Sequence, residues 1–306
     1  MNAILEEIKE IPQRANEFLA SNEYSLPLQV PYLGMGSSYF APLSFKHMGI
    51  DIQPELASEY YSYLSKKTIS TLGVILSQSG KSTEALWCAG LFEKFIAVTN
   101  NQASVLCKAP NLASVIPLLA REEKFSSSKT YINTLLALYK GFGEDIKPMV
   151  QLLEKKFAVY EEQGRLLAEA VFALLSEKKI HGIYITGSGP NIGTALEAAL
   201  ILSESTKLSF LGLPLAQYDH GPKETAANSI VICIIAEGES YARTQSLIQK
   251  IKKAGASVLI VEEPAAIENH SILYNIVPFN FMAFYLAQKL NVKDTFLVGG
   301  KVTVVE

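Results

Sequence analysis

The chain has 306 residues, of which 49% are apolar and 19% charged, and its formal net charge at pH 7 is −3. This length suits two domains of about 150 residues each, and the composition is that of a globular protein. A weakly acidic chain has no overall electrostatic attraction to nucleic acid or to an anionic membrane, so local donors must hold any bound anion.

Membrane, secretory and metal-binding signals are missing from the sequence. No segment reaches the roughly 18 uninterrupted apolar residues of a membrane span, and the first residues, MNAILEEIKEIPQRANEFL, lack the basic-then-apolar layout of a signal peptide. Cys88, Cys107 and Cys233 have no metal-type spacing, and the four histidines are scattered. We therefore expect a cytoplasmic protein with reduced thiols and no bound metal.

Strand-like and helical stretches alternate in the first half of the chain. QVPYLG (29–34) predicts a strand before a helix from Ser38, TLGVILSQSG (71–80) a strand and glycine turn before another helix, and KFIAVTNN (94–101) a further strand. Apolar runs without polar alternation are typical of parallel strands covered by helices on both faces. The order predicts an α/β domain with right-handed crossovers.

The pattern restarts after a mostly helical stretch over residues 129–178. Gly34-Met35-Gly36 corresponds to Gly187-Ser188-Gly189, 153 residues later, and Gly80 corresponds to Gly238, 158 residues later. Two landmarks in the same order at nearly equal offsets predict an internal duplication. We predict two three-layer α/β/α sandwiches with central parallel sheets. The first covers residues 1–145 with an N-terminal helix, and the second covers residues 146–306 with the linking helix and the C-terminal tail.

Three segments rich in serine follow strand-like runs of the first half: GSS (36–38), SQSGKST (77–83) and FSSSKT (125–130). Ligands of parallel sheets bind beyond the carboxyl ends of strands, where helix N-termini present N–H groups to phosphate. Capping a helix is the ordinary role of any one such serine. Three segments together predict a shared oxyanion site.

The second half keeps the glycines but has AEGES (236–240) where the first has SQSGKS, and an acidic loop repels phosphate. We therefore predict a single anion site, in the first half. The glycine turns match neither the dinucleotide-binding pattern nor the Walker pattern, because each lacks one of the required glycines.

Five stretches carry a resemblance to a known family: GSSY (36–39), SQSGKSTEA (77–85), LEAALILSE (196–204), DHGP (219–222) and KVTVVE (301–306). Together with the duplicated halves, they resemble the double sugar isomerase (SIS) family. That family includes the isomerase domain of glutamine–fructose-6-phosphate aminotransferase and stand-alone glucosamine-6-phosphate deaminases. The resemblance extends over nearly the whole chain.

The resemblance implies a phosphosugar ligand, no cofactor, and a homodimer. The expected phosphate ligands are Ser37, Ser38, Ser77, Gln78, Ser79 and Ser82. The residues expected nearer the sugar are Gly36, Ser127 and Glu122, although a surface salt bridge is an equal alternative for the glutamate.

Three further residues fall at catalytic positions of the family. Glu204 matches the proton-transferring glutamate, His220 the ring-opening histidine supplied by the partner subunit, and Lys301 the lysine that approaches the sugar carbonyl. Solvated surface roles are the alternatives for all three. The sequence leaves open whether Lys301 anchors the sugar or forms a Schiff base.

The chain also departs from the family pattern. Ile201 stands where the family has a lysine, and AQYDHGP replaces GELKHGP. No glutaminase-type region or N-terminal cysteine nucleophile is present, so we expect no glutamine-derived ammonia within this chain. These features favour an enzyme that converts glucosamine-6-phosphate to fructose-6-phosphate and ammonia. A fructosamine-6-phosphate deglycase and a non-catalytic phosphosugar-binding module are the alternatives.

Overall fold

The computed structural model describes residues 2–66 and 68–303, and within them no helix combines the length and apolar character needed to cross a bilayer. The chain divides into two compact units. The first unit comprises Lys9–Val150 and the C-terminal segment from Phe296 onward; the second comprises Gln151–Thr295 and the N-terminal segment up to Ile8. Both terminal segments therefore group differently from the predicted domains 1–145 and 146–306.

The first half alternates strands and helices from the N-terminus. Its elements are α1 (Asn2–Lys9), α2 (Ile11–Leu19), β1 (Pro31–Gly34), α3 (Ser37–His47), β2 (Gln53–Leu56), α4 (Ala57–Glu59) running into a π-helical turn (Tyr60–Leu64), β3 (Ser70–Leu76), α5 (Thr83–Ala89), β4 (Phe92–Thr99), a 3₁₀ turn (Leu106–Lys108), β5 (Leu112–Pro117) and α6 (Lys129–Gly141).

A long helix opens the second half, and the alternation then resumes. Its elements are α7 (Lys147–Glu177), β6 (Gly182–Gly187), α8 (Asn191–Thr206), β7 (Phe210–Pro214), α9 (Leu215–Asp219), a 3₁₀ turn (Pro222–Thr225), β8 (Ser229–Ile235), α10 (Tyr241–Lys253), β9 (Ser257–Glu262), α11 (Glu268–Asn275) and α12 (Val277–Lys289).

Each unit is built on one parallel sheet. The strand order is β2-β1-β3-β4-β5 in the first unit and β7-β6-β8-β9 in the second, and every pairing is parallel. In both sheets the chain leaves the first strand towards one edge and returns on the other side. The order therefore reverses between β1 and β3, and between β6 and β8, which is where open α/β sheets bind ligands.

The apolar runs of the sequence form the interior strands. All seven residues of β8 are buried, as expected for a parallel strand covered on both faces. In the first unit, Leu33, Ile75 and Phe95 are fully buried beneath α5. Each fully buried side chain of this kind contributes about 1.5–3 kcal/mol relative to exposure. These findings confirm the predicted α/β class.

The two glycine turns share a positive backbone φ angle and a close approach of strand to helix, which gives the duplication a structural basis. Gly36 has φ 50° and Gly189 has φ 51°, a left-handed conformation that favours glycine. A Cβ on Gly34 would lie 2.4 Å from the carbonyl oxygen of Ser38, and one on Gly187 would lie 2.2 Å from that of Asn191. In both units, the strand end therefore packs directly against the first turn of the following helix.

This packing predicts that Gly34→Ala lowers the free energy of unfolding by about 1–3 kcal/mol, since backbone atoms must shift to accept the methyl group. Urea denaturation followed by Trp87 fluorescence would measure it, because Trp87 lies in α5 of the same unit. Gly90→Ala is the control, because a Cβ on Gly90 would make only an ordinary van der Waals contact, 3.7 Å from the Trp87 carbonyl oxygen. If Gly34→Ala and Gly90→Ala unfolded at the same urea concentration, the packing argument would be wrong.

Candidate functional site

The first serine segment connects β1 to α3 at the carboxyl edge of the sheet. Gly36 is the residue before α3, and Ser37 and Ser38 are the first two residues of this 11-residue helix. Both serines are partly exposed. They lie where the positive end of the helix dipole favours an anion.

The second serine segment connects β3 to α5. The buried Ser77 hydroxyl accepts the Gly80 N–H at 3.2 Å, and the Ser79 hydroxyl accepts the Lys81 N–H at 3.2 Å. Ser82 occupies the N-cap position of α5, yet its side chain makes no capping hydrogen bond. The capping role that is usual for such a serine is therefore not observed at Ser82.

Backbone contacts fix the turn that presents Gln78. Its carbonyl oxygen accepts the Asn100 N–H at 3.1 Å and the Thr99 hydroxyl at 3.3 Å. Gly80 has φ 62°, and a Cβ there would lie 2.1 Å from the Ser104 hydroxyl oxygen. The tight turn after β3 thus depends on glycine, and it places Gln78 and Ser79 at the edge of an open cleft.

The third serine segment is organised by Glu123, a residue that sequence reasoning missed. Its carboxylate has no exposed area. It accepts hydrogen bonds from the N–H and hydroxyl of Ser128, both at 3.0 Å, from the Thr130 N–H at 3.2 Å, and from the Thr130 hydroxyl. Glu123 therefore caps the N-terminus of α6 from outside the helix. Ser127 bonds to the Thr130 hydroxyl at 3.0 Å.

Lys301 completes the bonding of Glu123 from the C-terminal tail. Its ammonium donates to the Glu123 carboxylate at 2.9 Å and to the Glu123 carbonyl oxygen at 3.0 Å. Burial alone would raise the pKa of Glu123; the Lys301 charge and the hydrogen bonds outweigh burial and hold the pKa below its usual 4.5. This ion pair helps explain why the tail groups with the first unit. Residues 304–306 of the KVTVVE motif lie outside the described residues.

Glu122, the predicted sugar ligand, points to solvent. Its side chain is 78% exposed and pairs with Lys124 at 3.6 Å. The backbone explains the contrast with Glu123: Leu119 and Arg121 both have positive φ, 54° and 55°. These uncommon left-handed conformations redirect the loop, so helical or strand periodicity does not reveal which glutamate faces inward.

Asn100 holds this loop in place. Its side-chain oxygen accepts the Ala120 N–H at 2.9 Å, and its side-chain amide donates to the Arg121 carbonyl oxygen. The Leu118 N–H donates to the Thr99 carbonyl oxygen at 2.9 Å. Because these bonds attach the loop to the end of β4, the left-handed residues are supported on both sides.

These segments surround one cleft of about 500 Å³ within the first unit, called here the Lys301 cleft. Its lining residues are Gln78, Ser79, Lys81, Asn100, Asn101, Arg121, Glu122, Glu123, Lys124, Lys301 and Val302. The structure thus brings together four of the predicted site residues, Gln78, Ser79, Glu122 and Lys301. Ser37, Ser38, Ser77, Ser82, Gly36 and Ser127 do not line it.

Glu204 and His220 belong to the second unit. Glu204 is partly exposed near the end of α8, whereas Ile201, three residues earlier, is buried. Lys207 ends the helix with φ 65°, and its ammonium donates to the Glu204 carbonyl oxygen. His220 follows α9 with an exposed side chain.

In the second unit, the Glu268 carboxylate lies against the two glycine turns that correspond to those of the first unit. A Cβ on Gly238 would lie 2.1 Å from a Glu268 carboxylate oxygen, and one on Gly189 would lie 3.6 Å from the other. Burial raises the pKa of Glu268, the Glu239 N–H lowers it, and the Glu239 charge raises it, with a net increase. An exogenous phosphate would meet this carboxylate, as well as the acidic AEGES loop.

Metal binding has no candidate among residues 2–66 and 68–303, where no group of three or more His, Cys, Asp or Glu side chains could hold an ion.

Sequence comparisons show which known proteins the chain is similar to. No family model matches it. It is 24% identical over 274 residues to the glutamine–fructose-6-phosphate aminotransferase of Sulfolobus acidocaldarius. The alignment covers 85% of this chain and 45% of that enzyme. Further relatives that the chain matches are also glutamine–fructose-6-phosphate aminotransferases. It spans about half the length of the curated relatives that it matches.

Solved structures share the fold along almost the whole chain. The C-terminal domain of glucosamine-fructose-6-phosphate aminotransferase from Francisella tularensis has a TM-score of 0.79 at 19% identity, covering 95% of this chain and 97% of that one. Glucosamine-6-phosphate deaminase from Thermotoga maritima has a TM-score of 0.76 at 18% identity, covering 95% and 94%. The predicted SIS resemblance is confirmed, and its relatives are phosphosugar isomerase-type proteins.

The Glu123 network predicts that Glu123→Ala lowers the free energy of unfolding by about 2–4 kcal/mol at pH 7, because buried charged hydrogen bonds are lost. A carboxylate whose pKa is lowered by folding stabilises the protein above its unfolded pKa and loses that effect as pH falls through the folded value. The gap between wild type and variant should therefore narrow below about pH 4.5.

Urea denaturation at several pH values, with Trp87 fluorescence as readout, measures this gap. Glu122→Ala is the matched control, and we expect a change of about 0.5 kcal/mol or less for this exposed neighbour. A Glu123→Ala effect as small as that of the control would show that the network does not stabilise the first unit.

Proposed function

We propose that the chain is a phosphosugar isomerase or deaminase that converts glucosamine-6-phosphate to fructose-6-phosphate and ammonia. The observation that carries the proposal is the convergence of Gln78, Ser79 and Lys301 on one cleft at the carboxyl edge of the first sheet. Phosphate would be held by hydroxyls, amides and helix N-termini contributed by the loops after β1 and β3.

The proposed reaction needs no oxidant or reductant. His220 would protonate the ring oxygen and open the sugar, and Glu204 would move a proton from C2 to C1. The resulting imine at C2 would take up water and release ammonia, leaving the ketone. Because the open-chain carbonyl and the imine acidify the C–H bond, an organic cofactor has no necessary part.

We also propose a homodimer in which His220 reaches the site of the other subunit. The exposed position of its imidazole at the end of α9 supports this proposal, since a side chain that serves another subunit has to lie at the surface. Analytical ultracentrifugation would give the oligomeric state. Mixing inactive Glu204→Gln and His220→Asn variants should restore part of the activity if the sites are shared.

A second candidate is a deglycase that cleaves a fructosamine 6-phosphate. The favouring observation is the lining of the Lys301 cleft, which includes Lys81, Arg121 and Lys124. These side chains could pair with a carboxylate on an amino acid attached to the sugar. The same glutamate and histidine would serve, with a larger amine as leaving group.

The first prediction from this proposal concerns turnover. Purified protein with glucosamine-6-phosphate should release fructose-6-phosphate and ammonia in equal amounts. Glu204→Gln should lower kcat by about 100-fold or more while binding is kept, because it removes the proton carrier without changing shape. Coupled enzyme assays measure both products, and calorimetry measures binding of fructose-6-phosphate.

Three other results would distinguish the alternatives or exclude Glu204 from the reaction. Turnover of 6-phosphofructosyl-glycine but not of glucosamine-6-phosphate would select the deglycase. Binding without any product would select the non-catalytic module. Full activity of Glu204→Gln would remove Glu204 from the mechanism.

The second prediction concerns the phosphate. Ser79→Ala should raise KM for glucosamine-6-phosphate roughly tenfold, since a hydrogen bond to a charged group contributes about 1.5–3 kcal/mol and water replaces part of it. Ser176→Ala, at an exposed serine of α7, is the control and should leave KM unchanged. The same KM in both variants would exclude the Ser79 hydroxyl as a phosphate ligand.

A further inference from the structure

We propose that Asp219 is a positioning residue whose carboxylate attaches the loop that carries His220 to α10 and so sets the position of the His220 imidazole. The proposal rests on the proposed function only for the role of His220 as the ring-opening acid. The attachment itself is a property of the second unit and can be measured without any substrate.

His220 follows a helix that is too short to be stable by itself. α9 has five residues, Leu215–Asp219, and isolated helices shorter than about 12 residues are marginal in water. Leu215 and Tyr218 are buried in the core of the second unit. Core packing therefore fixes the body of α9, whereas the His220 side chain at its end is exposed.

A second anchor lies at the far end of the 3₁₀ turn that follows. The Tyr184 and Thr225 hydroxyls are 2.8 Å apart, and Ala226 is buried. Between the two anchors the backbone is loosely packed, since a Cβ on Gly221 would meet no other described part of the chain within 4 Å. Apolar packing therefore contributes little to the position of the loop beside His220.

Asp219 supplies charge contacts at this point. Within the described part of the chain, its carboxylate pairs with three cations: the Lys223 ammonium at 3.0 Å, the Lys250 ammonium at 3.6 Å and the Arg243 guanidinium at 3.7 Å. The contact with Lys223 is also a hydrogen bond, and it closes the loop of residues 220–222. The other two contacts connect the loop to α10.

The support on the α10 side is a helix packed in the core. Arg243 and Lys250 are seven residues apart and so lie on one side of α10, and the neighbouring Leu247 and Ile251 are buried. A lone exposed ion pair contributes little to stability, whereas a network of several charges can contribute more. The contacts of Asp219, whose side chain is 25% exposed, form such a network.

These contacts depend on the charge of Asp219. The hydrogen bond from Lys223 and the charges of Lys223 and Lys250 outweigh partial burial and hold the pKa of Asp219 below its usual 3.8, so the carboxylate is ionised at neutral pH. Asp219→Asn removes that charge at nearly constant volume, whereas Asp219→Glu keeps it. Glu224→Gln is the matched control, because it neutralises an exposed carboxylate in the same 3₁₀ turn.

Hydrogen exchange at single amides tests the attachment with no ligand present. The His220 N–H donates to the Ala216 carbonyl oxygen at 3.1 Å, and the Ala226 N–H donates to the Lys223 carbonyl oxygen at 2.9 Å. The protection factors of these two amides therefore report how often the loop opens.

The variants should separate the charge contact from the rest of the turn. Asp219→Asn should lower both protection factors about fivefold, because the loop then opens without breaking its ion pairs. Asp219→Glu and Glu224→Gln should stay within about twofold of the wild type. The double variant Arg243→Gln/Lys250→Gln removes the α10 side of the contact and should match Asp219→Asn. Adding Asp219→Asn to it should change little further, since residues of one network are not additive.

Unchanged protection in Asp219→Asn would overturn the proposal, and so would fully additive effects of the Asp219 and α10 substitutions. If Asp219→Asn does not fold, the comparison of Arg243→Gln/Lys250→Gln with Glu224→Gln decides. Equal protection in those two variants would overturn the proposal, and lower protection in the double variant would support it.

Kinetics test whether the attachment serves His220. Asp219→Asn should lower kcat for glucosamine-6-phosphate about fivefold or more while KM stays within about twofold, since a misplaced acid weakens the transition state more than substrate binding. Asp219→Glu should recover most of the loss. Full kcat in Asp219→Asn despite reduced protection would overturn the positioning role. If the wild type itself shows no turnover, the proposed function fails, while the exchange result still decides whether Asp219 holds the loop.

Discussion

A carboxylate without exposed surface stays ionised only where donors and a counter-charge replace its water. Glu123 meets this condition with the first turn of α6 and the Lys301 ammonium. The requirement joins three distant parts of the sequence, since the loop after β5, the α6 N-terminus and the C-terminal tail must all be placed to satisfy one side chain. The contacts that these three segments make with Glu123 therefore shape the Lys301 cleft.

The glycine turns of the two units have similar backbones but different charges around them. Gly36 and Gly189 have the same left-handed conformation, and each strand end packs against the first turn of the next helix. In the first unit hydroxyls surround the turns, whereas in the second unit Glu268 lies against them. This partly buried carboxylate brings a negative charge to the turns of the second unit. The two halves therefore share a fold but differ in the charge around their glycine turns.

The sequence predicted the interior strands because their apolar runs are buried on both faces, as in β3 and β8. It did not predict β2, β5 and β7, which are edge strands and contain proline. An edge strand has one neighbour, so it can tolerate a missing N–H and carries a weaker pattern. These three edge strands thus depend on tertiary pairing more than on local sequence.

The position of the Lys301 cleft was predictable to the extent that it follows strand ends. Gln78 and Ser79 could be placed because a parallel sheet collects its loops at one edge. Which of Glu122 and Glu123 faces inward could not be predicted, because two residues with left-handed backbone conformations, Leu119 and Arg121, decide the direction of the loop. Such backbone costs of the order of 1–3 kcal/mol for each residue persist only where other contacts impose them. Here Asn100 and Glu123 impose them from opposite ends of the loop. Changes in this loop would therefore alter the cleft while the sheet and its glycine turns stay intact.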